Sequence, residues 1–579
     1  TKESGHPDPA DTVWSGTLTN TKAGDLYRYA IQCNGLTQEF NDPRAQQLTG
    51  FDMPNGFGMP GAAVPQSVIV DNAFDMPAFS GPSFNTMVIY ELHIGTFNGS
   101  FQGAVDKLDY LQQLGINAIE VLPITQNPLF PEHNPPDHDW GYDPVELFAV
   151  KSKYGTPREF KQFVKACHQR QIAVIVDVVY NHFVGNNLLE KFGGFSPPSV
   201  PDGIYFYGGD RVTTGFGPRP DFGRPQVRQY IQDNALMLLR DFGVDGLRFD
   251  DTRDIRSYDP GNGNRLDIPE GALLLRSINS AYRNTDPKQP GKISIAEDLQ
   301  GYGEIINQAN ADPLALEFNS QWDDNMFYTI RGAVTAVSDQ DRNLKAIQGV
   351  LESKLAKDVF SRVIYSENHD KVGHPDDMKD PQKRLPTLID QNDHESIYAK
   401  KRSTLAAAII LTAPGIPMLF QGQEMLETRA FGFDTPTPVD FGRAVDARFA
   451  GIARMYHDLI ALRKNASGQT RGLTGQNLNV FHIDDANKTL AYHRWENGGP
   501  GDDVVVVINL SNNAQSNLAL GLPRQGVWHV RFNSGAQVYD PSFVNGDSFD
   551  TTARSGQMDG LNFNANVGVG PYSVVILSQ

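Results

Sequence analysis

In the stretch GVDGLRFDDTRDI, residues 243 to 255, an apolar strand-like run is broken by Arg248 and ends in Asp250 and Asp251. Side chains alternate along a strand, so Leu247 and Phe249 share one face while Arg248 and Asp250 share the other. A carboxylate beside a fixed guanidinium is favoured as the anion, which can act as a nucleophile or as a ligand. A single pair of this kind at a strand end is as readily structural. Three further runs end alike: IAVIVDVVYNH with Asp177, Asn181 and His182, ISIAED with Glu297 and Asp298, and VIYSENHD with Glu367, Asn368, His369 and Asp370. One carboxylate at a strand end is usually a turn or cap residue. Four such ends point to one shared site, provided the fold brings them together.

The elements that must do this alternate. Strand-like runs occur at 88–94, 118–124, 172–179, 246–250, 293–297, 314–318 (LALEF), 363–368 and 416–421. Between them lie helical patterns such as Val227, Ile231, Ala235, Leu238 and Phe242, and a capping box from Thr156 to Glu159 with Pro157 in the first turn. Strands alternating with helices imply a parallel sheet, and eight such units predict an α/β fold of the (β/α)8 TIM-barrel type. In such a barrel the C-terminal strand ends form one mouth, where the polar groups above would converge. The barrel is assigned to residues 83–465, with a Gly- and Pro-rich inserted segment at 183–225. Residues 1–82 read as a small N-terminal β domain, and residues 466–579, with short strand runs between Asn, Gly and Asp turns, as a C-terminal antiparallel β-sandwich domain.

Composition narrows the partners. With 50 Lys and Arg against 68 Asp and Glu, the net charge of -18 disfavours nucleic acid. No apolar run approaches the ~20 residues of a membrane helix. The two cysteines, Cys33 and Cys167, make no disulfide framework, and Cys167 falls at helical spacing with Phe160, Phe163 and Val164, as a core thiol would. The start at Thr1, with no signal segment in view, is expected either of a processed mature chain or of a trimmed one, and leaves the compartment open, with secretion favoured.

The segments DVVYNH, GLRFDDTR, IAED and ENHD, in this order, resemble the four sequence regions of the alpha-amylase superfamily of glycoside hydrolases and transglycosylases. WGYDP at 140–144 and PGIPMLFQGQE at 414–424 extend the resemblance over the barrel. The resemblance implies Asp250 as nucleophile, Glu297 as general acid and base, and Asp370 as a carboxylate that binds sugar hydroxyls. It also implies that Arg248, His182, His369 and Tyr142 line the same subsite, and that Asp177 positions Arg248. Some relatives hold calcium through an asparagine like Asn181; the chemistry itself requires no cofactor. Retaining cleavage needs one ionised and one protonated carboxyl group across the anomeric carbon, a pairing that Asp250 and Glu297 could supply. Asp251 is expected to face away from Asp250 and to serve the structure.

YELHIGTF at 90–97 and the N-terminal domain resemble glycogen branching enzymes and maltooligosyltrehalose trehalohydrolases, whereas WGYDP and ENHD resemble hydrolytic amylases. The leading expectation is a hydrolase of α-1,4 bonds in starch or maltooligosaccharides, with α-glucan as its partner. Branching enzyme is the alternative and trehalohydrolase the third, and either would be expected in the cytoplasm. A non-catalytic scaffold would be free to lose Asp250 or Glu297, and both are present. His374, Asp376 and Asp377 read as solvated charge near the mouth.

Overall fold

The computed structural model describes residues 16–579 apart from 34, 52–55, 60, 63, 131–138, 196–203, 285–291, 300–302, 307–314, 357, 374–383, 434–435 and 545–547. His374, Asp376 and Asp377 therefore lie outside the described residues. Eight parallel strands close into a barrel. They are β1 (Ile89–Leu92), β2 (Ala118–Val121), β3 (Ala173–Val178), β4 (Gly246–Phe249), β5 (Ile293–Ala296), β6 (Ser320–Trp322), β7 (Arg362–Ile364) and β8 (Ile416–Phe420).

Alternation within these strands builds the site from below. Ile89, Ala118, Ala173, Ile175, Ile293, Ile295 and Met418 belong to one buried apolar cluster. Two residues further along the same faces stand Glu91, Glu120 and Asp177, and Arg248 is the register partner of both Asp177 and Ile295. An apolar floor thus carries a charged layer at the C-terminal ends. The helix Pro157–Gln169 starts with the expected capping box and buries Phe160, Phe163, Val164 and Cys167. Cys167 is a core thiol, and burial pushes its proton affinity up.

The sixth strand is displaced from its expected place. Residues 315–318 are irregular, Glu317 adopts a left-handed φ of 65°, and pairing with β5 starts only at Ser320. A residue with φ > 0 cannot continue an extended ladder, so the apolar run LALEF leads into β6 rather than forming it.

Before the barrel, Tyr29–Cys33 pairs antiparallel with Leu36–Phe40, and Leu26–Tyr27 with Ser67–Val68. After it, eight antiparallel strands from Asn477 to Ser578 form one sheet whose first and last members in spatial order touch, so that the sheet curls around a core containing Val505, Val507, Leu520, Trp528, Val567 and Leu577. Among the described residues no helix is long and apolar enough to cross a membrane.

Candidate active site at the barrel mouth

Arg248 organises the mouth. Its guanidinium is fully buried, lies 4.1 Å from the centre of the Trp322 ring of β6, and pairs with Asp177 at 2.7 Å, Asp250 at 2.9 Å and Glu297 at 2.7 Å. Asp177 also accepts the hydroxyl of Tyr142. The loop that carries Tyr142 passes through Gly141 at φ 103°, where an added Cβ would lie 2.7 Å from the Pro123 carbonyl oxygen. Asp250 is further held by Asn181, whose amide donates to its Oδ2 at 2.7 Å and to its carbonyl at 2.9 Å.

The sharing of one cation changes the electrostatics expected from sequence. Arg248 was to hold Asp250 ionised by itself. Instead burial and the Glu297 charge push Asp250 well above the usual carboxylate range, and the pull of Arg248 is divided among three anions.

The two histidines differ in state. Burial lowers His182 to about 4, so it is a neutral ring, and it bonds Asn181 through Nδ1. Burial also opposes charge on His369, but Asp370 at 3.4 Å and Glu91 at 2.6 Å outweigh it and raise the ring to about 9. His369 is thus an imidazolium at neutral pH. Its ring stacks on Tyr142 with centroids 5.1 Å apart. Asp370 is the most open of the three acidic groups, its side chain 26% exposed against 15% for Asp250 and 10% for Glu297.

Asp250, Glu297, Arg248, Asp177 and Tyr142 therefore meet through direct contacts, and Asp370 joins them through His369, which stacks on Tyr142. His182 joins through Asn181. Asn181, offered as a calcium ligand, has its amide nitrogen turned to Asp250 and its oxygen to His182. Among the described residues no group of three or more His, Cys, Asp or Glu is placed to hold a metal ion. Both polar atoms of the Asn181 amide are therefore engaged within the site, by Asp250 and by His182. Glu367 and Asp298 serve the framework: Glu367 pairs with Arg384 at 2.9 Å, and Asp298 binds Arg256 through two bonds.

Three participants escaped sequence reasoning. Glu91, the counter-ion of His369, lies inside VIYELHI, where a charge within a buried run was the available signal. Trp322 sits on the displaced β6. Phe216 stands at the tip of a hairpin in the inserted segment, 60% exposed, its ring 5.7 Å from that of His182. Nothing in its local sequence announced it.

Known proteins can now be set beside this geometry. The profile described as "Alpha amylase, catalytic domain" matches residues 37–191 and 218–466, and that of the "Alpha amylase, C-terminal all-beta domain" matches residues 482–579. The malto-oligosyltrehalose trehalohydrolase of Saccharolobus solfataricus is 30% identical over 72% of this chain and 68% of its own length. A 1,4-alpha-glucan branching enzyme of Pseudomonas syringae pv. tomato is 26% identical over 97% of this chain and 75% of its own. A pullulanase from Anoxybacillus sp. LM18-11, solved with maltotetraose, shares the fold at a TM-score of 0.68, with 22% identity over 96% of this chain and 79% of that one. With the catalytic-domain profile spanning most of its length, this chain belongs to the alpha-amylase family of glycoside hydrolases and transglycosylases.

Proposed function

We propose that this chain is a retaining hydrolase of α-1,4-linked glucan chains, with Asp250 as nucleophile and Glu297 as acid and base. The observation that carries the reading is the single buried Arg248 gripping both carboxylates at the barrel mouth. In the first step Asp250 attacks the anomeric carbon while Glu297 gives its proton to the departing glycosidic oxygen, leaving a glycosyl ester on Asp250. In the second, Glu297, now ionised, takes a proton from water as the water oxygen attacks the same carbon and frees Asp250. Asp370 accepts hydrogen bonds from sugar hydroxyls, and cationic His369 donates to their oxygens. Calcium is given no part in these steps.

A second reading, a trehalohydrolase acting at a chain end, is favoured by the 30% identity to the Saccharolobus enzyme. A third, transfer to another glucan chain, follows from likeness to the branching enzyme. One assay separates them. Amylose is followed by iodine colour and reducing ends, before and after enzymatic debranching, and a maltooligosaccharide ending in trehalose is followed for free trehalose. Falling colour with reducing ends rising at once is expected. Reducing ends that appear only after debranching would establish branching, and turnover confined to the trehalose-ended substrate would establish the second reading.

Phe216 offers an exposed ring beside His182 on which a sugar face can lie. Stacking of this kind contributes about 0.5–1.5 kcal/mol, or roughly a two- to tenfold effect on binding. Phe216→Ala is accordingly expected to raise KM several-fold with kcat nearly unchanged; an unaltered KM would remove Phe216 from the substrate path.

A further inference from the structure

We infer that Tyr328 is a specificity-determining residue of the proposed reaction: backed by Lys371 and Asp324, its exposed ring is the platform on which the leaving sugar of the glucan chain lies. The inference rests on Asp250 and Glu297 dividing the chemistry as proposed above.

Topology places the platform. Around the closed barrel β6 stands between β5, which carries Glu297 to the mouth, and β7, which leads to Asp370. The chain leaves β6 at Trp322 and enters the helix Asp324–Thr335 at once, with Asp323 as its cap. The first turns of this helix therefore stand on the rim between those two carboxylates. In a displacement the leaving oxygen departs on the face opposite the nucleophile, where the acid meets it. From Asp250 after β4, that direction runs past Glu297 after β5 and on to the rim above β6. Glu297 is fixed on this line by Arg248 at 2.7 Å and by the Asp251 N–H, which donates to its Oε2 at 3.0 Å; the Asp251 side chain meanwhile caps the helix Thr252–Arg256.

Local chemistry makes this rim a built surface. The helix buries Met326, Phe327, Ile330 and Arg331 but turns Tyr328 outward, 50% exposed. The ring is pinned all the same. Lys371, the residue after Asp370, donates from Nζ to the Tyr328 hydroxyl at 3.2 Å and stands 5.1 Å from the ring centre. Lys371 in turn pairs with Asp324 at 2.9 Å, both side chains largely buried, and Asp324 accepts the Tyr365 hydroxyl at 2.6 Å. Burial opposes the charge on Lys371, but Asp324 and then Asp370 outweigh it, so the lysine stays a cation. Tyr365 meets Trp322 edge-on with centroids 5.4 Å apart, and Trp322 carries Arg248 on its face. A continuous set of contacts thus joins Tyr328 to the guanidinium that holds both catalytic carboxylates. Because the Tyr328 oxygen accepts from Lys371, its own proton is left to donate, and among the described residues no group takes it. A pinned ring with a free hydroxyl proton offers a face to the apolar side of a sugar and a donor to its edge, with little ordering left to be done on binding.

Tyr328→Ala removes the platform without touching the carboxylates. The test compares kcat/KM on maltopentaose, whose leaving group is a sugar, with kcat/KM on α-maltosyl fluoride, whose leaving fluoride ion needs no platform. On maltopentaose the variant is expected to lose roughly three- to tenfold, and on α-maltosyl fluoride to stay within about twofold of the wild type. Tyr328→Phe keeps the ring and loses the donor, and is expected to lose only about two- to threefold on maltopentaose. Melting temperatures of both variants are expected to match the wild type within a few degrees. Equal losses on the two substrates would place Tyr328 in the framework or beside the sugar that stays, and an undiminished rate on maltopentaose would take it out of the site; either result overturns the inference. Should the wild type turn over α-maltosyl fluoride but no maltooligosaccharide, the proposed function fails and this inference with it. An active wild type whose Tyr328→Ala variant loses nothing on maltopentaose brings down this inference alone.

Discussion

Glu297→Gln is expected to lower kcat/KM on maltooligosaccharides by about 1,000-fold or more, with the melting temperature within a few degrees of the wild type. Glutamine keeps the shape of the side chain and can still accept from the Asp251 N–H, but it has no proton to give the leaving oxygen. The fold tolerates the change because Arg248 keeps two of its three carboxylate partners, Asp177 and Asp250. Asp250→Ala is expected to lose as much activity for a different reason: no carboxylate remains to form the glycosyl ester. Aryl glycosides with good leaving groups separate the two roles. They need little protonation, so they should restore the first step in Glu297→Gln and leave Asp250→Ala inactive. Equal rescue of both variants would contradict the division of labour.

The second large effect lies beneath the site. Glu91→Gln is expected to destabilise the protein by about 3 kcal/mol near pH 6, because it leaves a buried imidazolium without its closest partner, 2.6 Å away. The sign of the pH dependence follows from His369, whose proton affinity rises on folding from 6.5 to about 9. A group raised on folding contributes its full stability below the unfolded value and loses it as pH climbs through the folded one. The difference between wild type and Glu91→Gln in denaturant unfolding is therefore expected to be greatest below about pH 6.5 and to close as pH passes about 9. A difference that stays constant across that range would mean that Glu91 holds a neutral ring.

The charged layer at the barrel mouth was legible because charges interrupt runs that burial should keep apolar. Arg248 and Asp250 inside GVDGLRFDD and Asp177 inside IAVIVDVV cannot be explained by packing, and period-two alternation places them on one face. The same logic applied to Glu91 within VIYELHI, but a lone buried charge does not name its partner, and His369 lies 278 residues away along the chain. β6 was misplaced because Ser320–Trp322 is three residues long and mostly polar, whereas LALEF has the composition of a strand and is broken by the left-handed Glu317. The sharing of Arg248 among three carboxylates depends on register across β3, β4 and β5, which alternation within one strand cannot supply. Phe216 and Asn181 owe their roles to loop geometry. An exposed phenylalanine in a Gly- and Pro-rich stretch carries no local mark, and an asparagine turned toward a carboxylate is indistinguishable in sequence from one turned toward a metal.

The central claim is that Asp250 forms a covalent bond to the sugar, and it can be tested by trapping that bond. Glu297→Gln, incubated with a 5-fluoro-α-glucosyl fluoride or its maltosyl equivalent, loads the enzyme readily but releases the sugar slowly. Peptide mass spectrometry of the trapped protein is expected to show one glycosyl adduct, on Asp250. An adduct on another residue, or none under conditions where the wild type turns the reagent over, would contradict the account.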